Sequence, residues 1–198
     1  MENEMRFCQS CGMPLTNEIL ATMPDGYCKE IRPNIHAYYN AVVHLDDVDI
    51  IISTLWSYIE PYYSYITEQG VSDFYRIRYE GHRLNSNNFN QEHERCLRFI
   101  KQAVSDSKAT TKIVLTHHVP TQLCTAEEFR GSDINGAFTV ELGDYIADSG
   151  IDYWIYGHSH RNIDAQIGKT KIISNQLGYV SYGEHLANGF DPKKKVVI

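Results

Sequence analysis

The chain has no uninterrupted run of about 18 apolar residues and no basic-then-apolar amino terminus, so its sequence indicates neither a membrane span nor a secretory signal. A cytoplasmic location is the resulting expectation. Basic charge is scarce: 18 Lys and Arg stand against 25 Asp and Glu, a formal balance of −7, and apart from Lys193-Lys194-Lys195 no basic stripe forms. Nucleic acid is therefore not favoured as an electrostatic partner. A local metal site can still draw in an anionic ester. Cysteine is also sparse; five thiols, an odd number without a secretory signal, fit reduced thiols or metal ligands better than a disulfide framework. No internal repeat or low-complexity tract is present. What remains is an ordinary globular composition, 42% hydrophobic over 198 residues, long enough for one domain or one domain with a short appendage.

Residues 1–30 read differently from the rest. Cys8-Gln9-Ser10-Cys11-Gly12 is a C-x2-C knuckle, a spacing that lets two thiolates reach one tetrahedral zinc across a tight turn, and Cys28 follows. A second knuckle would put its last thiol at position 31, which is Ile31, so the ligand set is one short unless His36 completes it. The run from Phe7 to Leu15 resembles the start of a small bacterial zinc ribbon. The other reading is an arm with free thiols. The expected organisation is a zinc-ribbon-like fragment or arm over 1–30 and a separate domain over 31–198.

From Pro33 onward the pattern is α/β. Asp49 to Trp56 reads as a buried strand and turn, and the Tyr-rich segment 58–65 as a loop or short helix around Pro61. Cys96, Leu97, Ile100 and Val104 recur at helical spacing, which predicts a helix over 90–104 with a buried thiol at Cys96 and a solvated polar face at His93 and Glu94. Lys112–Thr116 predicts a strand, 137–147 a helix stopped at Gly150, and 152–156 a second strand. A hairpin is expected around Gly168-Lys169-Thr170 and a short terminal strand over 195–198. Helices leading directly into buried strands imply a sheet covered by helices.

The chemistry sits at the carboxyl ends of two of these strands. Lys112–Thr116 runs into His117-His118, and the 152–156 strand runs into Gly157-His158-Ser159-His160. Strand ends are rigid yet open into the crevice where α/β folds gather ligands. The expected reason for Gly157 is close backbone approach, with the two histidines of the turn binding one metal or straddling two. Asp73, Tyr75, Asn175 and Tyr179 are candidates for lining a cleft, or simply for organising turns. His185 reads as a surface histidine, and Cys124 has no neighbour that would make it a nucleophile.

Leu115-Thr116-His117-His118-Val119-Pro120 and Tyr156-Gly157-His158-Ser159-His160 resemble the two carboxyl-terminal motifs of calcineurin-like metallophosphoesterases. Further stretches, Ser53-Thr54-Leu55-Trp56-Ser57, Ser72-Asp73-Phe74, Phe89 to Glu94 and Asn175 to Tyr179, resemble a bacterial branch of that family, so the similarity runs over about 31–198. It implies a phosphoric ester hydrolase using divalent metal (Mn, Zn or Fe), with His117 and His158 on one ion, His160 on the other, and His118, Asp73 and Asn175 near the cleft. In the family, two metals polarise the phosphoryl group and generate the attacking hydroxide.

The family pattern also includes an amino-terminal Asp-x-His, a Gly-Asp whose carboxylate bridges the metals, and a Gly-Asn-His. None occurs ahead of His117-His118 here; Asn34-Ile35-His36 follows Pro33 rather than Gly. Two divalent cations repel strongly without an anion between them, so three neutral histidines are expected to hold a single ion instead. The resemblance likewise implies only the carboxyl-terminal part of a sheet sandwich flanked by helices, an α/β fold with an uncovered apolar sheet face. That face implies self-association or a complementary amino-terminal half. The competing expectation is a non-catalytic metal-binding or protein-interaction module.

Overall fold

A computed structural model describes residues 23–198. Its centre is a six-stranded sheet in the order β3-β4-β7-β8-β10-β9, built from β3 (Ala41–Leu45), β4 (Val48–Ser53), β7 (Thr111–Thr116), β8 (Tyr153–Tyr156), β10 (Thr170–Ser174) and β9 (Ala165–Ile167). The four inner strands run parallel, and β3 and β9 are antiparallel at the edges. Parallel neighbours need crossovers. Helix α3 (Ser86–Asp106) supplies the one from β4 to β7, and the short α4 (Gly143–Asp148) leads into β8.

Register explains which face is core. Ile51, Val114, Trp154 and Ile172 are cross-strand neighbours and are fully buried. Ile100 and Val104 of α3, Ile146 of α4, and Val119 pack in the same cluster. The 21-residue α3 holds its place because Asn85 caps it, its side chain accepting from the Asn88 N–H, while one stripe of the helix is apolar. One residue along each strand, Ile52, Leu115, Ile155 and Ile173 form a second in-register apolar row on the opposite face. None of these four belongs to either core cluster, and Leu115 is 37% exposed.

A second cluster joins Tyr39, Trp56, Phe74, Phe89 and Cys96 along the amino-terminal half of the same apolar stripe of α3. It seats two helical turns, α1 (Ser64–Gly70) and α2 (Asp73–Arg76), and the hairpin of β1 (Tyr27–Arg32) with β2 (Ile35–Tyr39). A two-residue hairpin, β5 (Arg78–Tyr79) with β6 (His82–Arg83), lies between α2 and α3.

The helix over 90–104, the strands over 112–116 and 152–156, and the 163–174 hairpin are present within a few residues of their expected limits. Other expectations are corrected. The segment 137–142 does not form the start of an α-helix: Ala137 ends a 3-10 turn (Asn135–Ala137), the helix begins only at Gly143, and between them Thr139 bridges Val119, whose N–H donates to the Phe138 carbonyl and whose carbonyl accepts from Val140. Residues 195–198 find no strand partner; the Val197 carbonyl accepts from the Tyr153 hydroxyl at 3.1 Å. The polar face of α3 is not wholly solvated, since Glu92 and His93 are buried. Glu92 takes the hydroxyls of Tyr39 (2.6 Å) and Tyr79 (2.9 Å). Among the described residues no helix is long and apolar enough to cross a membrane.

Candidate metal centre

Strands β7 and β8 are parallel neighbours, with Leu115 opposite Ile155, so the segments that leave them emerge side by side. His117 and His118 follow one strand, and the Gly157–His160 turn follows the other. The Gly157 N–H donates to the His117 carbonyl at 3.0 Å and ties the two together. Gly157 itself is less demanding than its place in the motif suggests. Its φ is not positive, and an added Cβ would lie 3.6 Å from His117, an ordinary contact. The strain falls on the histidines, with φ of 72° at His158 and 51° at His160, a left-handed backbone that non-glycine residues rarely adopt.

Two neighbouring segments hold this turn. Gln176 accepts from the His160 N–H at 2.7 Å and donates to the Arg161 carbonyl at 2.9 Å. Leu55 and Trp56 also take positive φ, and the Thr54 carbonyl before them accepts from the N–H groups of both His117 and His118. Buried His93 reaches over from α3, its Nδ1 lying 3.2 and 3.1 Å from the Leu55 and Trp56 carbonyls. Its role is to fasten the strained turn beneath the site.

The ring geometry separates the four histidines. Ligand atoms of His117, His118 and His158 lie within 4.8 Å of one another. Two nitrogens on one tetrahedral zinc are about 3.3 Å apart, given bonds of about 2.0–2.1 Å, so a bound ion requires some contraction. His118 and His158 stack, their centroids 4.4 Å apart and planes 14° from parallel. In-plane lone pairs on stacked rings run side by side and do not converge. His117 is inclined at 55° to His158, a better arrangement for a shared ion. His117, His158 and His160 also line one cavity together with residues 176–181, and His118 lies in the ring stack behind it.

Hydrogen bonds to Nδ1 of His118 and His160 leave their Nε2 atoms available. His158 lies close to the Ala137 backbone, and its Nε2 is buried without any partner. His160 Nδ1 meets a Glu184 carboxylate oxygen at 2.8 Å, and His118 Nδ1 meets the Ser57 hydroxyl at 2.9 Å. Fixing one ring nitrogen so that the other faces an ion is the usual arrangement around metal-bound histidine. Burial, reinforced by the neighbouring histidines, pushes His117 down to about 4 and holds His118 and His158 well below the ordinary imidazole value. All three are neutral near pH 7, the form a metal needs. Glu184 is pushed up by burial but held below the usual carboxylate range on balance by the Tyr179 N–H and His160. The glycine that matters is Gly178, at φ 69°, where an added Cβ would lie 2.5 Å from the Glu184 carboxylate.

The remaining candidates scatter. Asp73 lines a cavity beside His158 and His160, and Tyr179 lies against His160 with centroids 4.6 Å apart. Tyr75 is exposed, its hydroxyl donating to Gln69. Asn175, expected near the cleft, is exposed, exchanges hydrogen bonds with the Asp191 backbone and lines neither cavity. His185 is half-buried with its Nδ1 unpartnered. Cys124 is buried, its thiol pushed up to about 11 mainly by burial, as suits an unreactive core residue. Cys8 and Cys11 lie outside the described residues, and Cys28 is exposed on β1. Sequence reading missed Ser57, Gln176 and Glu184 as supports; Glu184 sits in an irregular loop with no periodicity to single it out.

The calcineurin-like phosphoesterase family profile matches residues 24–162, from β1 through both histidine motifs. The chain belongs to that family. An uncharacterized protein of Acanthamoeba polyphaga mimivirus is 30% identical over 175 residues, 83% of this chain and 60% of the viral protein, so the chain spans about three-fifths of that relative's length. A Staphylococcus aureus structure assigned as a 5'-nucleotidase, solved with alpha-ketoglutarate, is 16% identical with a TM-score of 0.34, over 68% of this chain and 23% of its own.

Proposed function

We propose that the chain is a metal-dependent phosphoric ester hydrolase working through a single divalent cation, with His117, His158 and His160 as its holders. The observation that carries this reading is the buried, unpartnered Nε2 of His158, a residue that lines a cavity together with His117 and His160. A buried polar nitrogen left without a partner is costly, and a ligand there removes the cost. His117 and His158 belong, with His118, to a group of close ligand atoms that holds no carboxylate among the described residues, and His160 joins them in lining the cavity; imidazoles alone suit one zinc, manganese or iron ion and not a close pair. When bound, such an ion polarises the phosphoryl oxygen and lowers the pKa of a water ligand to about 7.

The chain's own residues do the positioning. Glu184 fixes the His160 ring, His118 and Phe138 stack on that of His158, and Gln176 holds the backbone between Ser159 and Arg161. Neutral His117 and His158 keep their lone pairs free at neutral pH. The test is hydrolysis of 4-nitrophenyl phosphate and bis(4-nitrophenyl) phosphate with manganese or zinc, in the chain and in His117→Ala and His158→Ala. Turnover should require the ion and drop at least about 100-fold in each variant. An equal rate in the variants removes the reading.

Among the described residues no carboxylate joins the group of His117, His118 and His158, which favours a second reading, a non-catalytic metal-binding module. Its mark is stoichiometric, His158-dependent ion binding with no turnover of either ester.

A further inference from the structure

We propose that the cavity of about 440 Å³ beside His158 and His160 receives the leaving group of the ester, and that this group is a flat aromatic ring bearing an N–H donor. The inference rests on the hydrolase reading and adds a substrate class to it. Two cavities meet at this pair of histidines. One, bounded by residues 176–181, also contains His117; the other is bordered by the Gly70–Asp73 junction of α1 and α2 and has no further histidine. A phosphoryl group at the three histidines therefore points its ester substituent into the second. Water oxygen bonds to phosphorus, the P–O bond to the substituent breaks, and the departing oxygen takes up a proton from that water.

The walls select the substituent. Phe138 stacks on His158, centroids 4.8 Å apart and planes 21° from parallel, so an aromatic face continues from the metal-binding ring into the cavity. Phe129, Ile134 and Val71 add apolar surface. A flat ring fits between such faces, gaining apolar burial and offset stacking. Charge points the same way. Arg161 is the one cation among the residues lining the cavity, and it is already occupied, 2.8 Å from Glu128 and over the Phe129 ring. Asp73 and Glu184 line the cavity too. A leaving group carrying further phosphate or carboxylate would meet acids without a free cation, so acidic substituents are disfavoured. Asp73 makes no ion pair among the described residues, and burial pushes its carboxyl above the usual range. A half-buried carboxyl on the cavity wall without an ion pair accepts from a neutral N–H donor.

Two measurements test this. The first is binding of 4-aminophenol, phenol and cyclohexanol to the metal-free protein by saturation-transfer NMR and titration. The second is kcat/KM for 4-aminophenyl phosphate against phenyl phosphate with manganese. 4-Aminophenol should bind at least about fivefold tighter than phenol, and cyclohexanol should be weaker still. Asp73→Ala should erase the amino preference in both measurements, and Phe129→Ala should weaken both aromatic ligands. Equal binding of all three alcohols, or an amino preference that survives Asp73→Ala, overturns the inference even if the esters are hydrolysed. Binding as expected with no hydrolysis of either ester keeps the aromatic site and rejects the hydrolase reading instead.

Discussion

Acidification of the metal-free protein is the sharpest probe of the histidine group. Burial and mutual repulsion lower the folded-state pKa of His117 from 6.5 to about 4. A depressed imidazole means that the unfolded chain binds more protons between these values. Stability from this group is therefore fully present above pH 6.5 and is lost as pH falls through 6.5 toward 4. Integrating the linkage relation from pH 7 to pH 5 gives a loss of about 1.8 kcal/mol from His117 alone. His118 and His158 shift in the same direction for the same causes and add to it. Against a typical total of about 5–15 kcal/mol this is a large fraction. The assay is urea unfolding in chelator at pH 7 and pH 5, followed by tryptophan fluorescence, for the native chain and His117→Asn. The native chain should lose more than about 1.8 kcal/mol, and the variant should lose about 1.8 kcal/mol less than the native chain. Losses equal within about 0.5 kcal/mol would refute the claim that His117 is held neutral by its surroundings.

Other expectations follow from single contacts. Glu184→Gln weakens the carboxylate hold on His160 and should lower metal affinity about 10- to 100-fold, read by competition with a chromophoric chelator. Gly178→Ala, which places a methyl against the Glu184 carboxylate at a positive φ, should act in the same direction in the same assay. The open row Ile52, Leu115, Ile155 and Ile173 should make the chain self-associate through a second copy; sedimentation should show a concentration-dependent dimer that Ile155→Lys abolishes. Ile51→Ala, in the closed face, should cost about 2–5 kcal/mol in urea unfolding. With Cys8→Ser and Cys11→Ser in place, exposed Cys28 should react at once with a thiol reagent, and buried Cys96 and Cys124 only on unfolding.

The fold was legible wherever one periodicity ran unopposed. The stripe of Cys96, Ile100 and Val104 marked α3, and the apolar runs ending at Thr116 and Tyr156 marked the strands that carry the histidines. It was illegible where tertiary pairing decided the backbone: Phe138 and Val140, on either side of Thr139, sit in a helix-like pattern but bond to Val119. The histidines themselves were visible because the motif is local. Their supports were not, since Ser57 and Glu184 come from segments 61 and 24 residues away from the rings they hold. His93 looked like part of a solvated helix face, and only its contact with two strained carbonyls gives its purpose.

Metal stoichiometry tests the central claim most directly. After equilibration with zinc or manganese and removal of free ion, elemental analysis in a Cys8→Ser, Cys11→Ser background should find one ion per chain, and none after His158→Ala with the fold intact by circular dichroism. A native stoichiometry that His158→Ala leaves unchanged would contradict the account.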